Sequence, residues 1–253
     1  MQDRYVADVG DYVKCSILRG LIRGHHDWSL GVAWWLFRPF PNEHHNADGG
    51  HRDYLSRPND WKQFDPDVFE ALATIDKEEK GDVRALEDPR LFPNAVFARD
   101  PVPCDGPFAQ RPSQRRRWLS KTKAQLKDCD VVFLDPDNGI APEGLRLTLR
   151  RAGKCVTIEE IEELAQRHRT TIVYHHQTRR KGGHRAEIRH LAARLKESGL
   201  EVSGALRARP WSPRVFFILN GDKELQDRAK AIAEVWGDHM LWLTALDILE
   251  GSK

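Results

Sequence analysis

Short apolar runs alternate with helix-like segments along most of this chain, and this alternation restricts the possible folds more than any other feature. The clearest strand-like runs are residues 30–37, 131–134, 171–174 and 215–219. Strands that alternate with helices usually pair in parallel, and the helices cover both faces of the sheet. No internal repeat or linker divides the chain, so the sequence predicts one α/β domain over residues 1–253. The expected architecture is a three-layer sandwich with a mostly parallel central sheet flanked by helices.

Local signals predict the remaining elements. Asp65 followed by Pro66 marks a helix start, because an aspartate caps the helix and proline suits its first turn. Thr157 and Glu160 form a capping box that opens another helix. Together with apolar spacing, these signals predict helices at residues 11–23, 65–79, 113–127, 157–168, 184–198 and 222–236, and further short strands at 95–98 and 240–243.

Polar residues follow four of the predicted strands directly. Sites in open parallel sheets gather outside the carboxyl ends of the strands. If all four strands are parallel, their polar segments line one edge of the sheet and form one site. These segments are the loop 46–54, Asp135-Pro136-Asp137-Asn138, His175-His176-Gln177 and Asn220-Gly221-Asp222.

The segment after the strand at 131–134 carries the sharpest chemical signal. Every residue of that strand is apolar, and the turn that follows presents Asp135, Asp137 and Asn138. Pro136 and Gly139 restrict the turn and hold the two carboxylates rigidly. These three polar residues are therefore the first catalytic candidates, although aspartate and asparagine also serve as ordinary turn residues.

Two enzyme classes carry similar segments. Haloacid-dehalogenase-like phosphatases place a DxD sequence after an apolar strand and bind Mg²⁺ beside it, and Asp135 and Asp137 fit that pattern. No later acidic pair for the metal is evident. Amino-methyltransferases carry a D/N-P-P-Y/F loop, from which this segment departs at two positions. An Mg²⁺-dependent phosphoesterase or nuclease and a DNA-modifying methyltransferase therefore remain as alternatives.

A third resemblance is to the uracil-DNA glycosylase superfamily, whose first motif is an apolar strand followed by a Gly-Gln-Asp-Pro-Tyr-like loop. Here the two residues that normally separate the strand from the aspartate are missing. Matching the Asp-Pro pair selects Asp135 as catalytic, whereas counting from the strand end selects Asp137. The superfamily's later His-Pro-Ser loop is matched only by His175 or His176.

Four segments together resemble a narrower family of bacterial proteins of about this length. They are residues 8–14, 46–51, 133–140 and 174–181. We associate that family with phage defence by DNA glycosylases that excise glucosylated hydroxymethylcytosine. The resemblance implies a uracil-DNA-glycosylase-like fold, a monofunctional and metal-independent enzyme without cofactors, and abasic sites as its product.

The residue types suit such a reaction. Cleavage of an N-glycosidic bond gives the sugar oxocarbenium character, which a fixed carboxylate stabilises, and hydrogen-bond donors stabilise the departing base. His175, His176, Gln177 and Asn138 are candidate donors. Adjacent strand residues point to opposite faces, so only one of the two histidines is expected to face the site. Candidates for binding the sugar-bearing base are Asn46, Asp48, His51, Tyr54 and Gln177.

Basic residues are clustered although the net charge is only +2. Residues 111–127 hold seven Lys or Arg and no acid, and residues 179–196 hold seven against Glu187 alone. Such clusters attract phosphate backbones, although solvated helix faces or a non-enzymatic DNA-binding protein would also explain them. The predicted contacts to double-stranded DNA are Arg115, Arg116, Arg117, Lys121, Arg179, Arg180, Lys181, His184 and Arg185.

The remaining composition predicts a cytoplasmic protein without a membrane or an obligate protein partner. The four cysteines show no metal-ligand spacing and are expected to be small core residues. Residues 1–11 are polar and lack the apolar region of a secretory signal. The longest apolar run, residues 30–37, is too short to cross a bilayer.

Overall fold

The computed structural model describes residues 1–24, 28–39, 50–165 and 169–251. These ranges contain seven α-helices: α1 (Val9–Ile22), α2 (Pro58–Trp61), α3 (Pro66–Lys77), α4 (Arg111–Gln125), α5 (Ile158–Ala165), α6 (Gly183–Glu197) and α7 (Lys223–Trp236). They also contain nine strands: β1 (Leu30–Ala33), β2 (Val96–Ala98), β3 (Val131–Leu134), β4 (Gly139–Ile140), β5 (Cys155–Val156), β6 (Thr170–His176), β7 (Val202–Ala208), β8 (Arg214–Leu219) and β9 (Met240–Thr244).

Seven of these strands form one sheet, in the order β2-β1-β3-β6-β8-β7-β9. The first four are parallel, and β3 lies between β1 and β6, with Leu134 opposite Ala33 and Val173. The other pairings, β6 with β8, β8 with β7 and β7 with β9, are antiparallel. β4 and β5 form a separate parallel pair.

Helices cover both faces of the sheet, so the molecule has the predicted three layers. One core packs α1, α3 and α7 against the sheet, and a second core packs α4, α5 and α6 against the opposite face. The consecutive residues Trp34 and Trp35 are both buried, one in each core. The fold is therefore a mixed α/β sandwich with a mostly parallel sheet. All four cysteines are buried and free, as expected of core residues.

The direction of β8 shows that the four predicted strands are not all parallel, so their polar segments do not all line one edge. β7 and β8 are joined by residues 209–213, a connection too short for the crossover that parallel neighbours need. The polar segment Asn220–Asp222 therefore lies at the opposite edge from the ends of β3 and β6, and Arg214 stands near those ends instead. β7 itself was not predicted, because Ser203, Gly204 and Arg207 interrupt its apolar pattern.

The predictions made from local signals were more accurate than the predicted strand directions. Asp65 caps α3 through its side chain, and Thr157 and Glu160 form the expected reciprocal hydrogen bonds at the start of α5. The predicted strand 30–37 ends early, after Ala33, and Trp35 then adopts a positive φ of 49°. Each helix within the described ranges is too short or too polar to cross a lipid bilayer.

Candidate active site

A polar cavity of about 550 Å³ lies at the carboxyl ends of β3 and β6, beside the first turns of α1. Four carboxylates and several cationic side chains share it, which is unusual for a cavity in a structural core. The polar and aromatic residues that line it are Arg4, Tyr5, Asp8, Asp11, Lys14, His51, Asp135, Asp137, Asn138, Lys154, Tyr174, His176, Ser212 and Arg214.

The centre of the cavity wall is a buried ion-pair cluster. The Nζ atom of Lys14 lies 2.8 Å from Oδ2 of Asp135 and 3.0 Å from Oδ1 of Asp11. All three side chains are at least nine-tenths buried. The second oxygen of Asp11 accepts a hydrogen bond from the backbone N–H of Ala7 at 3.1 Å. Asp135 is therefore a fixed and charge-compensated carboxylate.

Helix α1 and its N-cap residue supply three of the charged cavity residues, and sequence analysis did not include them among the site residues. Asp8 caps the helix by accepting a hydrogen bond from the N–H of Asp11, and Lys14 follows one turn later. Residues three apart in a helix share a face, so the Asp8, Asp11 and Lys14 side chains all reach the cavity. Their signal was visible: they are charged positions in a helix whose other residues are mostly apolar and buried.

Burial and charge compete at this cluster. Burial raises the pKa of Asp11 to about 7, although the ammonium of Lys14 lowers it. Burial also raises the pKa of Asp8, against the opposing charges of Arg214 and Lys14. Burial alone would lower the pKa of Lys14, but Asp135 and Asp11 outweigh it and hold that pKa well above its usual value. The cluster can therefore keep one proton on a carboxyl group near neutral pH, as acid–base catalysis requires.

Asp137 is the second carboxylate of the turn after β3, and it has a lighter set of partners. Its Oδ2 atom accepts a hydrogen bond from Nε2 of Gln2 at 2.6 Å and lies 3.7 Å from Nζ of Lys154. Asn138 is exposed, and its backbone N–H donates to the carbonyl of Lys154 at 2.8 Å. Asp137 thus has a neutral amide as its short-range partner and an ammonium at longer range.

The turn that carries these residues is fixed from behind. Gly139 has a φ of +96°, and a Cβ atom there would lie 2.4 Å from Nδ1 of His175. The N–H of Ile140 donates to the same nitrogen at 3.0 Å, and Nε2 of His175 lies 3.3 Å from Oε1 of Glu187. His175 is buried on the face away from the cavity. The structure therefore corrects its expected place among the residues facing the site.

His176 is the histidine that lines the cavity. Its Nε2 atom lies 3.0 Å from Oγ of Ser212, and its Nδ1 lies 3.0 Å from the carbonyl of Gln177. Burial lowers the pKa of His176, so its ring is neutral at pH 7; its one N–H is on Nδ1 and donates to Gln177, which leaves Nε2 as an acceptor from the Ser212 hydroxyl.

The structure places only some of the predicted base-binding residues at the cavity. His51 lines the cavity, whereas Asn46 and Asp48 lie outside the described residues. Tyr54 is fully buried: its hydroxyl donates to the carbonyl of Ala7 at 3.2 Å, so it is a core residue and not a ligand contact. Gln177 is half-buried next to the cavity-lining His176, and its backbone N–H donates to Pro213.

The first basic cluster, within residues 111–127, exposes fewer unpaired basic side chains than its sequence predicts. Arg115 is 3% exposed and pairs with Glu160, which corrects its assignment to DNA binding. A residue pointing inward from α4 needs such a partner because a lone buried charge is strongly destabilising. Arg116 and Arg117 are exposed, and Lys121 is exposed but paired with Asp100.

The second basic cluster lies at the edge of the sheet that holds the cavity. Arg179, Arg180 and Lys181 are all exposed and follow directly after β6, whose last residue lines the cavity. Arg185 is also exposed. His184 is buried, and its Nδ1 accepts a hydrogen bond from Nε of Arg207 at 3.0 Å, so it cannot serve as a DNA contact.

Arg214 is a cavity residue that sequence analysis missed, because its position depends on the antiparallel direction of β8. It is 4% exposed, and its side chain donates from Nη2 to Oγ of Ser212 at 3.3 Å. Its Nε and Nη1 atoms have no partner among the described residues. A buried guanidinium with free donors can accept an anionic or hydroxylated ligand. An arginine at the head of an otherwise apolar strand was the available signal.

Within the described ranges, no group of three or more His, Cys, Asp and Glu side chains is arranged to hold a metal ion. We compared the chain with protein-family models, with curated proteins and with solved structures, and found no match in any of the three.

Proposed function

We propose that this protein is a DNA glycosylase that excises a modified base and leaves an abasic site. The observation that carries the proposal is the pair of carboxylates after β3, Asp135 and Asp137, which face one polar cavity at the sheet edge that also bears the exposed basic loop 179–181. The substrate we propose, from the family resemblance, is glucosylated hydroxymethylcytosine in phage DNA, and the role is antiviral defence. On this proposal the sandwich is of the uracil-DNA-glycosylase-like type.

We assign the direct catalytic role to Asp137. As the N-glycosidic bond breaks, positive charge develops on the deoxyribose, and a carboxylate beside it stabilises that charge and orients the attacking water. The charge of Asp135 is already compensated by Lys14 at 2.8 Å. Asp137 accepts its short hydrogen bond from the neutral amide of Gln2, so more of its charge acts on the cavity.

The departing base gathers negative charge and must be stabilised or protonated. His176 is not a free donor, because the one N–H of its neutral ring, at Nδ1, donates to the carbonyl of Gln177. Asp11, whose pKa is raised to about 7, provides a carboxyl group that can hold a proton in the same cluster. Proton delivery to the base would then run through the face of α1.

The dimensions and charge of the site suit a base that has left the helix. Ligand cavities of about 300–1,000 Å³ hold small molecules, and about 550 Å³ is available here. A bulky modified base requires flipping, together with a grip on the flanking phosphates. Arg179, Arg180 and Lys181 are exposed where that grip is needed.

The phosphoesterase alternative needs a divalent cation between the carboxylates. The alternative would use Asp135 and Asp137 as ligands, and Asp135 is already paired with the ammonium of Lys14 at 2.8 Å. This arrangement favours hydrolysis of an N-glycosidic bond over the metal-dependent reaction.

The test uses duplexes that contain cytosine, hydroxymethylcytosine or glucosylated hydroxymethylcytosine, incubated with the protein in EDTA and then treated with alkali. We expect alkali-labile strand breaks in the glucosylated duplex. Asp137→Asn should slow their formation at least about 100-fold, the scale for loss of one electrostatic catalyst. Asp238→Asn is the matched control, because Asp238 is exposed and outside the cavity.

Three results would contradict the proposal. The first is the absence of alkali-labile sites in all three duplexes, and the second is a wild-type rate for both Asp137→Asn and Asp135→Asn. The third is activity that EDTA abolishes, which would transfer the assignment to a phosphoesterase. Transfer of label from S-adenosylmethionine to the DNA would indicate a methyltransferase instead.

A further inference from the structure

One tryptophan differs from the others in its surroundings. All eight tryptophans lie in the described ranges, and Trp211 is the exposed one, at 37%. It occupies the connection between β7 and β8, a place where loop residues usually are small or polar. A single exposed apolar side chain is ordinary by itself, so the backbone and the neighbours of Trp211 decide what it can do.

The backbone at Trp211 is also unusual. Its φ is +55°, and the N–H of Ser212 donates to the carbonyl of Pro210 at 2.7 Å, which closes a γ-turn centred on the tryptophan. Turns of this kind with positive φ are rare, and bulky residues seldom adopt that conformation. Strained residues of this sort persist where the surrounding structure fixes them, often at ligand sites.

Both ends of the connection are anchored. The N–H of Arg209 donates to the carbonyl of His239 at 2.9 Å, and the N–H of Gln177 donates to the carbonyl of Pro213 at 3.0 Å. The exposed ring is therefore presented on a fixed turn. A fixed aromatic ring loses little conformational entropy when a flat ligand stacks on it.

Trp211 lies next to residues that line the cavity. The next residue, Ser212, lines the cavity, and so does His51, whose ring centroid is 6.1 Å from that of Trp211. The ring is supported by Trp61 at a centroid distance of 5.1 Å. The guanidinium carbon of Arg57 lies 5.7 Å from the ring centroid, which places a cation beside it.

We propose that Trp211 is a nucleobase-stacking residue, which receives the base next to the nucleotide that enters the cavity. The inference rests on the proposed function and identifies how that site holds its DNA. When a base leaves the helix, its neighbour loses a stacking partner, and the indole ring replaces it. Arg57, exposed beside the ring, contacts a flanking phosphate.

The experiment measures binding of unmodified oligothymidylate of about 15 nucleotides by fluorescence anisotropy at several salt concentrations. The variants are Trp211→Ala, Trp211→Phe and Arg57→Gln, with Trp242→Ala as the control. Trp242 lies on β9 and outside the cavity lining. Intrinsic tryptophan fluorescence of wild type and Trp211→Phe is recorded on saturation with the same oligonucleotide.

We expect Trp211→Ala to weaken binding about 5-fold or more with an unchanged salt slope, because stacking on an aromatic residue is worth about 1–3 kcal/mol per base. Trp211→Phe should retain most of the affinity but lose the fluorescence quenching seen in wild type. Arg57→Gln should lower the salt slope by about one contact. Trp242→Ala should bind like wild type.

Wild-type affinity of Trp211→Ala, or equal quenching in wild type and Trp211→Phe, would overturn the inference. If Trp211→Ala does not fold, the phenylalanine variant still decides through its quenching. If Trp211→Ala binds the oligonucleotide normally and the wild type excises the modified base, the stacking role is refuted and the proposed function stands. Failure of the wild type to bind any DNA refutes the proposed function itself.

Discussion

Replacing Lys14 by methionine tests the buried cluster most directly. At an effective dielectric constant of about 20, each contact of its ammonium, at 2.8 Å to Asp135 and 3.0 Å to Asp11, carries a Coulomb energy of about 6 kcal/mol. The desolvation penalty of the buried ions offsets several kcal/mol of each Coulomb energy. Loss of one partner of a buried pair then lowers the free energy of unfolding by about 3–5 kcal/mol, a large part of a typical total.

The effect of this substitution depends on pH, and its sign follows from the carboxyl groups. In the wild type the pKa of Asp11 is raised to about 7 from 3.8. A raised pKa means that the folded state binds the proton more tightly, so this group's contribution is present at low pH and is lost as pH rises from about 4 to about 7. Without the ammonium, which lowers it, the pKa of Asp11 rises further. The destabilisation by Lys14→Met should therefore be largest near pH 8 and smaller near pH 5.5.

The assay is urea unfolding of both proteins at pH 5.5 and pH 8. The control is Lys121→Met, which removes a lysine of 71% side-chain exposure that pairs with Asp100 and should change stability by less than about 1 kcal/mol. The double variant Lys14→Met with Asp135→Asn removes both charges of one pair and should recover part of the loss. A decrease below about 1 kcal/mol at pH 8, or one that does not vary with pH, would refute this account of the cluster.

Two further outcomes are expected. Arg115→Met should lower the free energy of unfolding, measured by urea titration, by about 3–5 kcal/mol because Arg115 and Glu160 are both buried. The exposed control, Arg116→Met, should change it by less than about 1 kcal/mol. Equal effects of the two substitutions would contradict the burial of Arg115. Burial raises the pKa of Glu187, but hydrogen bonds that include one from His175 outweigh burial and lower that pKa to about 2. The contribution of Glu187 to the free energy of unfolding is therefore present above about pH 4.5 and is lost as pH falls toward 2. The Tm difference between wild type and Glu187→Gln should therefore shrink as pH falls through that range, and a constant difference would show that the carboxylate is not the cause.

Local sequence signals predicted the local structure well. The cap at Asp65, the capping box at Thr157 and the strand Val131–Leu134 all appear where their residues place them. Each depends on hydrogen bonds or apolar contacts among residues a few positions apart. The turn Asp135–Asn138 was predicted for the same reason, and its two carboxylates do line a cavity.

The partners of those carboxylates were not predicted. Lys14 and Asp135 are 121 positions apart, and only the packing of α1 against the sheet that contains β3 brings them together. Arg214 reaches the cavity because β8 runs antiparallel to β6, a direction that residues 215–219 do not encode by themselves. His176 rather than His175 faces the cavity because of the register of β6 in the sheet.

By itself, then, the sequence determined most of the elements, the α/β class and the turn that presents two aspartates. The tertiary structure alone decided which charges are buried, and with what partners: Arg115 with Glu160, and Lys14 with Asp11 and Asp135. The physical reason is one of range. Helix caps and strand periodicity depend on neighbours in the chain, whereas desolvation and charge compensation depend on every group that folding brings within a few ångströms.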